Sequence, residues 1–507
     1  MKKRRIHLYF LLSVAVILAC FATSLHAADY TFSQAWEQLL ELSDTLAAQQ
    51  AAVERHQHLQ LAASKRHFPD ITLDGQYLHL SDPLVVDARS LEPMASMDPQ
   101  MIRQALVSLA ATGQISPQFA RDIGVLFQHL IGQDVDLTTE IVSQNIFASG
   151  LRATWPLFTG WRITAAEQIA TEQTRAEKAR LAMVRQEQFT ALAKVYFGVV
   201  LAEQIAQTKK EVENGLGIHY QHALALEQQG QIARVERLEA QAAYDRSRVA
   251  TGKAYRMLEI AQLALRKALH QEEKVQPVSP LFIKDALPDP DAICEQTLRL
   301  HPGLALLQAK QDQAKGLIRV EQGRYYPQVY AFANYNLYTE DDIVGEATPD
   351  WQAGLGVSLT LFDSKGRGER VAAANAALFQ TTCLYRQAER DLSVLVEKTW
   401  KQSRQALEEY KGLASSVDLA RENVRLRQKG FSQGMATSLD VVDARLFLEG
   451  VTTQRLAAAY AYVTALAHLF AMSGQCDQFT AYQQQAQSVL RHQSTTAHQQ
   501  PFFEIDN

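Results

Sequence analysis

Arg66-His67-Phe68-Pro69-Asp70-Ile71 and Arg324-Tyr325-Tyr326-Pro327-Gln328-Val329 are two versions of one motif, 258 residues apart. The same offset pairs Leu46 with Leu304 and Tyr77 with Tyr335. Further on, Gly150-Leu151 through Leu157-Phe158 matches Gly354-Leu355 through Leu361-Phe362 at an offset of 204. That offset holds to Gly230, Val235, Glu236 and Ala240, which meet Gly434, Leu439, Asp440 and Ala444. The chain therefore reads as two internal repeats, each ordered helix, strand, strand, long helix, turn, helix. The difference between the offsets places a 54-residue insertion, about 83–136, between the two strands of the first repeat.

Four segments read as strands: Pro69–Leu80, Gln144–Phe158, Pro327–Tyr338 and Trp351–Phe362. Pro, Gly or Asp bounds each one. Each reaches the roughly 9–11 residues that a tilted transmembrane strand needs. Ile71, Leu73, Gly75 and Tyr77 alternate with Thr72, Asp74 and Gln76, and Tyr77, Tyr335, Tyr338, Trp155, Phe158 and Trp351 suit interfacial aromatic girdles. Four strands cannot close a barrel, since the smallest filled one has about 8. A membrane reading therefore requires an oligomer, and a soluble sheet is the competing reading.

The remainder is rich in Ala, Gln, Leu, Glu and Arg, which favour helix. Ile163–Gln229 and Gly366–Gln433 each extend about 100 Å if continuous. Ile232–His270, Thr437–Met472 and Thr31–Arg66 are each close to half that length, and Leu300–Gly323 is shorter. Their sums predict two breaks at mid-height, where the Pro-rich 271–299 segment should meet the tail 473–507 as a belt. The domain reading is thus 1–28 signal, 29–270 first repeat, 271–299 linker, 300–472 second repeat and 473–507 tail. Polar residues such as Arg175, Glu177, Lys178 and Arg180 interrupt the apolar positions of the long helices. That suits a sheath one helix thick with water on both sides, and equally a solvated coiled-coil surface.

Lys2, Lys3, Arg4 and Arg5 precede a short apolar core, the pattern of a secretory signal. Cleavage near Ala27 or Ala28 and lipidation of Cys20 are both open. Formal net charge is −5, and −9 once those four basic residues are removed, so nucleic acid is not an expected partner. Cys294, Cys383 and Cys476 are widely separated and fit neither a disulfide framework nor a metal site. His219 and His222 (i, i+3) lack a third ligand and read as exposed helical histidines. No motif for catalysis or cofactor binding survives inspection. The insertion carries two short amphipathic stretches, Ile102/Leu106/Leu109 and Ile123/Leu126/Phe127/Leu130. It reads either as a cap over an outer mouth or as a surface loop.

The repeat, the Phe-Pro and Tyr-Pro strand entries and the exits Pro156-Leu157-Phe158-Thr159-Gly160 and Leu361-Phe362-Asp363 carry a resemblance. So do Leu300-His301-Pro302-Gly303-Leu304 and two hairpin turns, Gly230-Gln231-Ile232-Ala233-Arg234-Val235-Glu236 and Gly434-Met435-Ala436-Thr437-Ser438-Leu439-Asp440. Together, over nearly the whole mature chain, they resemble the TolC-type outer-membrane channels of tripartite efflux pumps and type I secretion systems. The first turn departs from the family pattern, with Glu236 where Asp is usual. The resemblance implies a mainly α protein with membrane β-strands. It implies a homotrimer whose four strands per chain form a 12-stranded β-barrel continuing into an α-helical barrel. It also implies partnership with outer-membrane lipid, a periplasmic adaptor docking at the turns, and an inner-membrane pump. Gly230, Ile232, Ala233, Gly434, Met435, Thr437, Leu439 and Asp440 are the expected docking tips, although Thr437 and Asp440 equally suit simple helix capping. Asp418, Glu422, Arg421 and Arg425 are the expected periplasmic gate, because family channels close by ion pairs and acidic rings. A periplasmic helical adaptor with a soluble β-domain is the competing function.

Overall fold

The computed structural model describes residues 28–82, 84–87, 99–111, 117–130, 138–142, 144–338 and 349–497. The signal segment, with Cys20, lies outside the described residues. In chain order the elements are β1 (Ala28–Tyr30), α1 (Phe32–Leu42), α2 (Asp44–Ser64), β2 (Asp70–His79), β3 (Leu84–Asp87), α3 (Pro99–Ala111), α4 (Pro117–Leu130), β4 (Thr138–Val142), β5 (Asn145–Phe158) and α5 (Arg162–Gln228). They continue with α6 (Arg234–Ala268), β6 (Val275–Pro277), α7 (Pro290–Leu300), α8 (Pro302–Gly323), β7 (Gln328–Tyr338), β8 (Trp351–Ser358), α9 (Arg367–Ser432), α10 (Ser438–Met472) and α11 (Cys476–Ala497). Two compact units result, one of residues 1–58, 171–312 and 378–507, the other of 59–170 and 313–377. Helices α2, α5, α8 and α9 contribute to both.

The second unit holds an antiparallel sheet in the order β2-β5-β7-β8. Its strands are the four expected from the sequence, except that β8 stops at Ser358 rather than Phe362. The register aligns Leu73 with Leu151, Tyr335 and Trp351 in one row. Directly paired residues share a face of a sheet. One face is therefore built from Ile71, Leu73, Leu151, Ala153, Trp155, Ala331, Ala333, Leu355 and Val357, while the other carries Thr72, Asp74, Gln76, Arg152, Asn334 and Gln352. Arg152 pairs with Asp74 at 3.5 Å on the polar face. The apolar face is open: Leu73, Leu355 and Trp351 are each about 70% exposed. Among the described residues the sheet closes no barrel, and β2 and β8 end it with unpaired edges. At the start of the insertion and just past its end, β3 and β4 form an antiparallel ribbon that the sequence did not announce. The helices α3 and α4 stand where the two amphipathic stretches were expected.

At the β5–α5 turn the backbone approaches α8 closely. Gly160 has φ +63°, and a Cβ there would lie 2.3 Å from the Gly323 carbonyl oxygen. Only glycine meets both demands.

The first unit is helical around an aromatic core. Phe32 sits edge-on to Phe189, Tyr196 and Phe479 and stacked on Phe197, with ring centroids 5.3–5.5 Å apart. Tyr462, Leu466 and Phe282 complete the cluster. Aromatic pairs add about 0.5–1.5 kcal/mol each beyond burial. The expected helix Thr31–Arg66 is interrupted at Ser43, whose extended backbone ends α1. Upstream, β1 pairs in parallel with β6. Tyr196 fastens this pairing: its hydroxyl donates to the Tyr30 carbonyl (2.6 Å) and accepts the Ser279 N–H (2.9 Å). The Pro-rich segment and the tail also meet, since Lys284 Nζ donates to Gln485 Oε1 (2.7 Å) and Tyr482 donates to the Ala286 carbonyl. Helices α5 and α10 each contain a window apolar enough to cross a membrane by length and composition. In α10 much of that content is core, as Tyr462, Val463, Leu466 and Phe470 are buried.

Candidate functional site

The turns of two helical hairpins, α5–α6 and α9–α10, lie in the first unit and pack on each other. Both outgoing helices end in the same left-handed cap. Gly230 has φ +72° and Gly434 φ +71°. At the first turn Gln231 N–H donates to Leu226 O (2.9 Å) and Gly230 N–H to Glu227 O (2.8 Å). At the second, Met435 N–H donates to Gly430 O (2.8 Å) and Gly434 N–H to Phe431 O (3.1 Å). This is the Schellman pattern, which satisfies the last carbonyls of a helix. A Cβ on either glycine meets nothing within 4 Å. Backbone handedness rather than crowding therefore selects glycine here.

The incoming helices are capped differently. In α10 the Thr437 hydroxyl accepts the Asp440 N–H (3.2 Å) and Asp440 accepts the Thr437 N–H (2.9 Å), a complete capping box. The Thr437 backbone N–H and then its hydroxyl hold the Asp440 carboxyl below its usual range, helped by Arg427 at 3.1 Å. In α6, Ala233 supplies no side-chain cap. Glu236 instead reaches the other hairpin and accepts the Ser438 N–H at 2.6 Å. The departure at Glu236 thus has a structural use: it ties the two turns together.

His219 reinforces that tie. It was expected to be exposed, but it is 4% exposed, with its Nε2 2.8 Å from Ser438 Oγ and its ring against Phe431. Burial, then the nearby Arg445 and His222, push its pKa down to about 4, so the imidazole is neutral at ordinary pH. No cluster of three potential metal ligands occurs among the described residues.

Of the expected docking residues, Gly230, Ala233, Gly434, Met435, Thr437 and Leu439 are exposed, Met435 by 74%. Asp440 is half-buried in its cap. Ile232 turns inward with Ala436, onto Ala223, Ala240, Phe431 and Val441. Val235 and Leu238 are exposed beside the turn and were missed. Val235 was readable in principle, since it sits in the repeat position of Leu439.

The expected gate residues form two pairs, each within one helical turn of α9. Arg421 meets Asp418 at 3.3 Å, and Arg425 Nε donates to Glu422 Oε2 at 2.8 Å. The Arg425 hydrogen bond holds the Glu422 carboxyl below its usual range. All four are more than half exposed. Within one chain these pairs tie α9 to nothing else.

The turns, the long helices and the two-faced sheet agree with comparisons to known proteins. A family model described as outer membrane efflux protein matches residues 132–270 and 293–475. The chain belongs to the outer membrane efflux protein family. It is accordingly an outer-membrane protein that extends into the periplasm, as expected. Solved structures with the same fold include the outer-membrane channel OprN, at 15% identity and TM-score 0.68, covering 88% of this chain and 90% of that one. The MtrE outer-membrane channel of Neisseria gonorrhoeae, in its open state, matches at 15% identity and TM-score 0.66 over 90% and 93%. The outer membrane protein VceC of Vibrio cholerae matches at 14% identity and TM-score 0.66 over 88% and 96%. No curated protein sequence matches the chain. The family model begins at residue 132, so α1 to α4 and all but the end of the insertion lie outside the matched residues.

Proposed function

We propose that this protein is a passive export channel of the outer membrane, working as a homotrimer with a periplasmic adaptor and an inner-membrane pump. The observation that carries the proposal is the two-faced sheet. A transmembrane barrel places apolar residues toward lipid and polar ones toward its lumen, in strict alternation. Most residues of β2, β5, β7 and β8 follow that rule in register, with Tyr330, Phe332 and the Leu78–Ile146 pair as apolar exceptions on the polar face, and the two open edges need partners. Three copies close a 12-stranded barrel in which every edge is paired. The twofold repeat is supported by the matching caps at Gly230 and Gly434.

The paired turns are the adaptor-docking surface. They present Gly230, Ala233, Gly434, Met435 and Leu439, with Val235 and Leu238 beside them, over a core that Ile232 helps to fill. Thr437 and Asp440 act by shaping the turn. Asp418, Glu422, Arg421 and Arg425 form the gate only in the assembly, where each acidic position becomes a ring of three charges. The cargo is a small molecule or a polypeptide, and the pump selects it.

Planar-bilayer recording of the purified outer-membrane protein tests this reading. Discrete, mostly closed conductance steps, raised when Asp418 and Glu422 are changed to Asn and Gln, are the expected result. A protein that stays soluble without detergent and leaves bilayers unperturbed contradicts it.

A further inference from the structure

The end of the sheet that joins the helices carries an unused set of charges. Lys65 and Arg66 are exposed in the short 3-10 turn just before β2, and Lys365 is exposed between β8 and α9. The Lys365 backbone N–H donates to Asp363 Oδ1 (2.7 Å), but none of the three side chains pairs with an acidic group among the described residues. Other cations at this level are committed. Arg367 pairs with Asp363 at 3.7 Å and donates to the carbonyls of Arg324 and Leu361. His67 pairs with Glu167 at 3.5 Å.

These free cations sit at the two open edges of the sheet, β2 and β8. Antiparallel closure between copies sets the start of β2 beside the end of β8. Lys65 and Arg66 of one copy then share a rim with Lys365 of the next. Along that seam Arg367 and Arg370 are held by Asp363 and Glu321, which leaves Lys65, Arg66 and Lys365 against Asp70 and Glu369. Such an excess of like charge calls for an anion.

The surroundings identify which anion. Phe68, Leu361 and Phe362 flank the same seam and are 67%, 87% and 89% exposed. Trp161 lies at the same level with φ +61°, a left-handed backbone rare for a bulky residue. Its ring is held edge-on between Phe158 (5.0 Å) and Tyr326 (5.2 Å) yet remains 59% exposed. A strained, exposed indole beside Tyr325 and Tyr326 marks a membrane–water interface. A phosphate next to apolar chains, at the helix-bearing end of a barrel, belongs to a phospholipid of the periplasmic leaflet.

We propose that each seam between adjacent copies binds an anionic phospholipid, its phosphate held by Lys365 of one copy and by Lys65 and Arg66 of the next, its acyl chains lying against Phe68, Leu361 and Phe362. The proposal rests on the trimer reading above. Juxtamembrane cations attract anionic lipid by about fivefold in retention for each charge.

Native mass spectrometry of the full-length protein, extracted from outer membranes in mild detergent, reads copy number and bound lipid in one spectrum. Offered phosphatidylglycerol or phosphatidylcholine, the three-copy particle is expected to retain phosphatidylglycerol preferentially. K365Q should lower that retention about fivefold and K65Q/R66Q about 25-fold, with copy number unchanged and no displacement by excess inorganic phosphate. A three-copy particle without that preference, variants that retain lipid as well as the parent, or displacement by inorganic phosphate would each overturn the lipid site alone. A single-copy particle would overturn the trimer reading and the lipid site with it.

Discussion

Leu73→Arg tests whether the apolar face of the sheet meets lipid. Leu73 is 69% exposed and lies three residues into β2, in the row of Leu151, Tyr335 and Trp351. Three residues extend about 10 Å along a strand, or about 8 Å of depth at the usual tilt of roughly 40°. An apolar band about 25 Å tall has its midplane near 12 Å, so Leu73 sits between the rim and the centre. Arginine costs about 2–4 kcal/mol at the midplane and about 0–1 at the interface, which puts this substitution near 2 kcal/mol. That corresponds to roughly a thirtyfold loss in the folded-to-unfolded ratio. Gln76→Arg, three residues along on the polar face, is the control and should cost under about 0.5 kcal/mol. Both variants can be folded into phospholipid vesicles and titrated with urea, with heat-modifiability on gels as the readout of the folded barrel. Equal losses in the two variants, or a larger loss for Gln76→Arg, would refute the assignment of faces.

His219 links stability to pH. Its folded pKa of about 4 lies below the ordinary value of 6.5, so the folded state resists the proton that the unfolded chain accepts. The hairpin turns should lose up to about 3 kcal/mol as pH falls from 6.5 to about 4, and no more below that; amide exchange around Ser438 in the parent and in H219Q checks this, with the loss in that window absent from the variant. Thr437→Ala removes the hydroxyl half of the capping box, while the backbone N–H at 437 still donates to Asp440; it should cost about 1 kcal/mol, seen as faster exchange in the first turn of α10 while the cap at Gly434 stays protected. Gly160→Ala meets a left-handed backbone and the Gly323 carbonyl together; a loss of about 2–4 kcal/mol is expected in a urea titration, and an unchanged midpoint would mean that the turn relaxes freely.

The four strands were legible because Pro, Gly and Asp bound them and alternation marks their faces. The long helices were legible from composition and the lack of breakers. What escaped has a common cause, dependence on distant partners. The strands β1 and β6 are three residues each, too short to carry a period, and exist because Tyr196 and Ser279 bind them. The break at Ser43 is likewise not announced by Gly or Pro. His219 looked like a surface residue, since its partner Ser438 is 219 residues away on another hairpin. Glu236 looked like a defect in the turn motif until its reach to Ser438 was visible. The tips were readable from Gly230 and Gly434, whereas Ile232 was placed outside because a tripeptide pattern does not say which apolar side chain folds under. Asp418, Arg421, Glu422 and Arg425 face water within one chain, and any gating role is a property of the assembly.

Closure of the barrel between copies is the central claim, and cysteine cross-linking of the open edges tests it most directly. Single cysteines can be scanned along Asp70–His79 and paired with single cysteines along Trp351–Ser358, with Cys294, Cys383 and Cys476 changed to serine. Oxidation in outer membranes should give, for the in-register pairs, a ladder that stops at three linked chains. Absence of any linked species across the whole scan, or a ladder that continues past three, would contradict a trimeric barrel built from this sheet.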